Sequence, residues 1–76
     1  MGTKERHLVA SAIEAEMQRA DRSVRWVSSR SGMDRSVLAS KLEEREDFTM
    51  VDLANIAAAL GVPVAALTPS AGPSLR

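Results

Sequence analysis

Between residues 19 and 45 the chain places seven basic side chains, Arg19, Arg22, Arg25, Arg30, Arg35, Lys41 and Arg45, against four acidic ones, Asp21, Asp34, Glu43 and Glu44. That is a local net charge of +3. Interleaved with them are the hydroxyls of Ser23, Ser28, Ser31, Ser36 and Ser40. Guanidinium and ammonium groups neutralise phosphate, and a guanidinium also matches the O6 and N7 acceptors of guanine as a bidentate fork. The chemistry on offer is therefore recognition of a polyanion. Ten basic and ten acidic residues leave the whole chain at zero net charge, with a pI of about 6.6, so the remainder carries the compensating −3. A dipolar layout of this kind orients a molecule on a charged partner, with a gain that falls as salt rises.

Catalysis finds no comparable support. His7 is the single histidine and cysteine is absent, so neither a Cys- or His-sharing metal site nor a braced nucleophile and base is expected. The four glycines, Gly2, Gly32, Gly61 and Gly72, are scattered and form no phosphate-binding loop. No enzymatic activity and no cofactor are expected. No apolar run approaches a membrane span, MGTKERHL lacks the apolar core of a signal peptide, and the start does not continue into an acylation pattern. A cysteine-free chain fits a reducing compartment, and an intracellular, cytoplasmic location is expected.

Those basic residues have to be held by something. At 76 residues and 45% hydrophobic composition, the chain has material for one small core, and with Trp26 and Phe48 as its aromatics that core is aliphatic. Residues 4 to 20 repeat apolar side chains at Val9, Ala12, Ile13, Met17 and Ala20, with Leu8 broadening the stripe, which predicts an amphipathic helix. Ser23 predicts an N-cap for a second helix over about 24 to 31, with Val27, Ser28 and Ser31 inward and Gly32 as its left-handed stop. Asp34 predicts the next N-cap, and a third helix to about Glu43 hides Leu38 and Leu42 while turning Ser36, Ala39, Ser40 and Glu43 outward. Thr49 and Asp52 have the spacing of a capping box for a fourth helix with Leu53, Ile56, Ala57 and Leu60 inward. Gly61 ends that helix. Pro63 predicts a short fifth helix anchored by Val64 and Leu67, and the residues from 68 to 76 read as a flexible tail. The expectation is an all-α, compact five-helix bundle spanning residues 4 to 67.

Within it, two short helices hinged at a glycine have the pattern of a helix-turn-helix, whose second helix enters the DNA major groove. The segment VSSRSGMDRSVLASKL resembles the phage-repressor and Cro family of helix-turn-helix proteins, also called the xenobiotic-response-element family, and FTMVDLANIAAALGVPVAAL resembles that family's fourth and fifth helices. The similarity covers about residues 8 to 67 and is greatest to variants of actinobacteria and their phages, in which a Trp often precedes the small hydrophobic pair, as Trp26 does here. It implies a lambda-repressor-like fold, double-stranded DNA as partner, and functional positions at Ser23, Val24 and Arg25 and at Arg35, Ser36 and Ser40. Base reading is accordingly expected from Arg35, Ser36 and Ser40, and backbone contacts from Arg22, Ser23, Arg25, Lys41 and Arg45. Three departures stand out. Val24 occupies a position where relatives often have a phosphate-binding Gln, Glu44 replaces the usual glycine or polar stop after the recognition helix, and Asp47 replaces a common proline.

The function so implied is a small Cro-like or immunity-type repressor that reads an operator through its third helix, acting as a weak homodimer through Phe48, Val64 and Leu67. So short a chain leaves no room for an effector-sensing domain, and control by concentration is expected. The alternative is an antitoxin-like or adaptor module whose main partner is a protein, with the acidic turn at Glu44, Glu46 and Asp47 and an apolar patch of Phe48, Met50 and Val51 together with Val64 and Leu67 as its surface. Trp26 is expected at the rim of the core, half covered, its N–H free for a phosphate; without a dimer, affinity would need an arm such as Lys4 to Arg6, or the tail from 68 to 76, to reach the backbone.

Overall fold

The protein, seen in a computed structural model that describes residues 3 to 68, is all-helical, with no strand among the described residues. Helix α1 spans Thr3–Ala20, α2 Val24–Ser31, α3 Arg35–Leu42 and α4 Met50–Leu60, and a 3₁₀ turn follows at Val64–Ala66. Each short helix starts where a side chain satisfies its free amides. Ser23 Oγ accepts from the amide of Trp26 at 3.1 Å, and Asp34 Oδ1 accepts from those of Ser36 and Val37 at 2.8 and 3.4 Å. Thr49 and Asp52 close the expected capping box, each side chain accepting from the other's amide.

Helices α1, α3 and α4 end alike. In each, the residue after the C-cap region turns left-handed and the next amide reaches back five residues: Arg22 to Met17 O at 2.8 Å, Arg45 to Ser40 O at 3.1 Å, Val62 to Ala57 O at 3.0 Å. The left-handed residues are Asp21 (φ 57°), Glu44 (φ 68°) and Gly61 (φ 72°). The glycine expected after α3 is missing from the sequence, yet the backbone keeps the conformation that glycine would serve.

The fifth element is a correction. Val64–Ala66 closes with three-residue bonds, Ala66 N–H to Pro63 O and Leu67 N–H to Val64 O, so the expected fifth α-helix is a single tighter turn. Its purpose survives, because it delivers Leu67 fully into the core. The remainder of the expected tail, residues 69 to 76, lies outside the described residues, as do residues 1 and 2.

The core is formed by Val9, Ala10, Ile13 and Met17 of α1, Val27 of α2, Leu38 and Leu42 of α3, Phe48, and Leu53, Ile56 and Ala57 of α4, with Leu67 closing it. Each large aliphatic so buried contributes about 1.5–3 kcal/mol relative to exposure. Helix α1 is rotated slightly from the expected stripe, burying Ala10 and leaving Leu8 and Ala20 exposed. Helix α2 packs chiefly on α4 and α3, while α1 lies across α3 and α4. No helix among the described residues is long and apolar enough to cross a membrane.

Candidate functional site

The turn between α2 and α3 is built by the two serines that precede it. Ser28 Oγ donates to the carbonyl of Met33 at 2.6 Å, Ser31 Oγ accepts from the amide of Met33 at 3.3 Å, and Gly32 N–H closes on Ser28 O at 3.0 Å. Gly32 itself has φ 80°, and a Cβ there would meet nothing within 4 Å. Its requirement is therefore the backbone angle alone, with no part played by close packing. The small residues expected for packing thus have a second duty: their hydroxyls satisfy the turn's backbone groups.

This arrangement fixes which face of α3 is covered. Leu38 and Leu42 are buried as the spacing predicts, and Arg35, Ser36, Val37 and Glu43 are exposed, with Ala39 and Ser40 half-buried. Arg35, at the first position of α3, makes no ion pair among the described residues. Ser36 is engaged locally, its Oγ donating to Asp34 Oδ1 at 2.6 Å, so it faces outward with lone pairs free and its proton occupied. That bond first, then the two backbone amides and the nearby Arg35, hold the Asp34 carboxyl below its ordinary value of 3.8.

Lys41 is where the structure departs most from the expected site. Assigned from sequence to the DNA backbone, it is instead buried, its ammonium bonded to Asp52 Oδ2, the oxygen that also accepts from the Thr49 amide. Helical rotation explains it: three residues beyond Leu38 and one before Leu42, Lys41 shares their face. Burial alone would raise the Asp52 pKa, but the bonds from Lys41 and Thr49 outweigh it and hold it low. Arg45 remains exposed and is shared with Glu43 at 3.2 Å. The suggested arm over Lys4 to Arg6 is also corrected, because those residues belong to α1 and Arg6 is tied to Asp47.

That tie is part of a polar clasp between the first turns of α1 and the loop after α3. Arg6 Nε donates to Asp47 Oδ1 at 2.7 Å, Arg6 Nη1 donates to the Glu44 carbonyl at 3.2 Å, and His7 Nδ1 lies 2.9 Å from Glu44 Oε2. The bond to Asp47 raises the Arg6 pKa, and Arg6 in turn lowers that of Asp47. The two departures that put acids near the expected DNA face are thus engaged by cations and polar groups of α1.

A division among the cations follows. Arg6, Arg19, Lys41 and Arg45 each have a carboxylate within ion-pair distance. Arg22, Arg25, Arg30 and Arg35, consecutive basic residues across α2 and the start of α3, have none among the described residues, and all four are exposed. Two of them meet Trp26. The guanidinium carbon of Arg22 stands 4.2 Å from the centre of the indole and that of Arg30 stands 5.1 Å from it. Trp26 is half-buried against the core, as expected of a rim residue, and Val24 beside it is also drawn into packing, which accounts for an apolar side chain at that position. Arg30 is the residue that motif reasoning left out. The i, i+4 spacing of Trp26 and Arg30 within α2 is the pattern that could have found it, while Arg22 reaches the ring from the segment before the helix.

The expected dimer surface does not exist in the form proposed. Phe48 is 3% exposed and Leu67 fully buried, so both belong to the core, and only Val64 is partly accessible. The large apolar side chains that do face outward are Leu8, Val37, Met50 and Val51. Among the described residues, no three His, Cys, Asp or Glu side chains gather to hold a metal ion. No protein-family model, no curated protein and no solved structure matches the chain.

Proposed function

We propose that this protein is a sequence-specific binder of double-stranded DNA, a small transcriptional regulator of the Cro-like or immunity-repressor kind, with α2 and α3 acting as a helix-turn-helix. The observation that carries the proposal is the run of four uncompensated arginines, Arg22, Arg25, Arg30 and Arg35, in a chain whose other arginines among the described residues are paired with acids. Leaving guanidiniums unpaired on two adjacent short helices serves a polyanion that supplies the missing charge. An α-helix such as α3, about 10–12 Å across with its side chains, fits the major groove, about 12 Å wide. Its outward residues Arg35, Ser36 and Ser40 are small or extended enough to approach base edges, with Arg35 as the principal reader and Arg22, Ser23 and Arg25 on the backbone. The site of action is the bacterial cytoplasm.

The test is selection of bound sequences from random duplex DNA, followed by Arg35→Ala. Loss of a bidentate base contact should cost about 1–3 kcal/mol and relax preference at one base position. A folded Arg35→Ala protein that keeps both affinity and preference would show that α3 is not the reader.

A second reading is favoured by Met50 and Val51, each 68% exposed on the first turn of α4. Apolar side chains so placed suit a protein partner, as in an adaptor or antitoxin-like module. Random duplex DNA separates the two: binding that weakens steeply with salt supports the regulator, and no binding at low salt supports the adaptor.

A further inference from the structure

Helix α2 presents an aromatic ring flanked by two cations. Trp26 lies one helical turn before Arg30 and four residues after Arg22, which precedes the helix, and both guanidinium carbons sit over its indole. Their separation is at most the sum of those two distances, and both arginines are exposed. From residue 22 to residue 33 the chain contains no acid to offset them. Glu14 shares an open groove with Arg22 at the junction of α1 and α2, yet stays beyond ion-pair distance.

The attraction of each cation for the ring quadrupole offsets part of the repulsion between them, and it also orients them. A guanidinium stacked on an aromatic face uses its flat surface and keeps its N–H edge, which lies in its own plane, free for other partners, and that edge binds phosphate oxygens in a bidentate fork. What approaches this surface is therefore met by guanidinium edges, and the matching chemistry is phosphate.

We propose that Arg22, Trp26 and Arg30 form a phosphate clamp: the indole holds two guanidiniums with their donor edges outward, and they grip the phosphodiester backbone of the nucleic acid beside the groove that α3 enters. This rests on the reading of the protein as a DNA binder and adds to it a contact on the outer face of α2, where Val24 has replaced the side chain expected to hold phosphate. The clamp carries affinity and no sequence information, in contrast to Arg35.

Trp26 is the only tryptophan in the chain, so its emission reports on the clamp directly. Titration of the full-length protein with a random-sequence duplex should change Trp26 fluorescence. Arg22→Ala and Arg30→Ala should each lower affinity several-fold at about 0.1 M salt and flatten the dependence of log K on log salt by about 0.9, the contribution of one phosphate contact. Both losses should be the same on random and selected sequences. Arg22→Lys with Arg30→Lys keeps the charge but loses the fork, and should retain the salt slope with reduced affinity. Lys4→Ala, which removes an equal charge from α1, should leave the slope unaltered. Circular dichroism confirms that each variant is folded, as expected for exposed positions.

Wild-type binding whose salt slope survives Arg22→Ala and Arg30→Ala overturns the clamp and leaves the DNA reading standing. An equal loss of slope from Lys4→Ala overturns it too, because net charge then explains the effect. Failure of the wild-type protein to bind any duplex at low salt defeats both, and fluorescence-detected binding of a polyglutamate peptide in its place would reassign the surface to an acidic protein.

Discussion

Gly32 and Glu44 occupy the same region of backbone space for opposite reasons of sequence. At Gly32, φ is 80° and an added Cβ would touch nothing, so Gly32→Ala tests the backbone term alone. We expect a loss of about 1 kcal/mol in urea denaturation, the cost of a left-handed non-glycine residue. Glu44 already bears that cost at φ 68°. Glu44→Gly relieves about 1 kcal/mol of it but frees the unfolded chain and removes the contact with His7, terms of about 0.5 kcal/mol each, so the change should be nearly neutral. A large loss on Glu44→Gly would show that the His7 contact stabilises more than an exposed pair should. The caps at Ser23, Asp34 and Thr49 were legible in the sequence because each depends on neighbours within three residues. The left-handed angle at Glu44 was not, since glutamate carries no preference for it.

The joint between α3 and α4 depends on a pair that residue types alone did not reveal. Lys41 and Asp52 meet with side chains only 10% and 16% exposed, and Asp52 also completes the cap of α4. Breaking such a pair costs more than breaking a surface bridge and less than stranding a fully buried charge. A double-mutant cycle with Lys41→Met and Asp52→Asn should give a coupling of about 1–2 kcal/mol. The salt dependence of duplex binding should be unchanged in Lys41→Met, because its ammonium points into the α3–α4 joint. A fall in slope would return Lys41 to the DNA surface.

The same joint, together with Asp34 and Asp47, sets the acid limit of stability. All three carboxyls are held below their ordinary value of 3.8 in the folded protein. A carboxyl whose native pKa is depressed stabilises the fold at pH above the unfolded value and loses that contribution as pH falls through 3.8 toward the native value. Stability should therefore be level from neutrality to about pH 5 and decline below pH 4, and Asp52→Asn should make the decline shallower. A denaturation series across pH 2 to 7 measures it, and an acid limb that Asp52→Asn leaves unchanged would mean its carboxyl takes no part.

At the scale of the whole molecule, on the proposed DNA-binding reading, a single domain of this size would cover only a few base pairs, and four uncompensated arginines would supply limited affinity. Two copies on a pseudo-palindromic site, about 34 Å apart along the duplex, would supply the rest. Sedimentation with and without a selected duplex should show two protomers on each full site, and one protomer per site at saturation would defeat this arrangement. With Phe48 and Leu67 sealed in the core, any contact between copies has to use other residues.

The sequence by itself determined the four helices, their starts, the turn at Gly32 and nearly all of the core, because 3.6-residue periodicity and capping are local properties of a chain. It also carried the surplus of positive charge across residues 19 to 45. What the tertiary structure decided was the fate of individual side chains. Lys41 turned inward because its rotation about α3 follows Leu38 and a carboxylate on another helix waited there. Phe48 and Leu67 left the surface because the loop and the 3₁₀ turn fold over the core. Arg6 and His7 took up the acids of a loop some forty residues away, while Arg22 and Arg30 found an indole and, among the described residues, no acid within ion-pair distance. Charge and apolarity are written into each residue, but whether a charge is paired and whether an apolar surface is covered depend on which distant elements the fold brings against it.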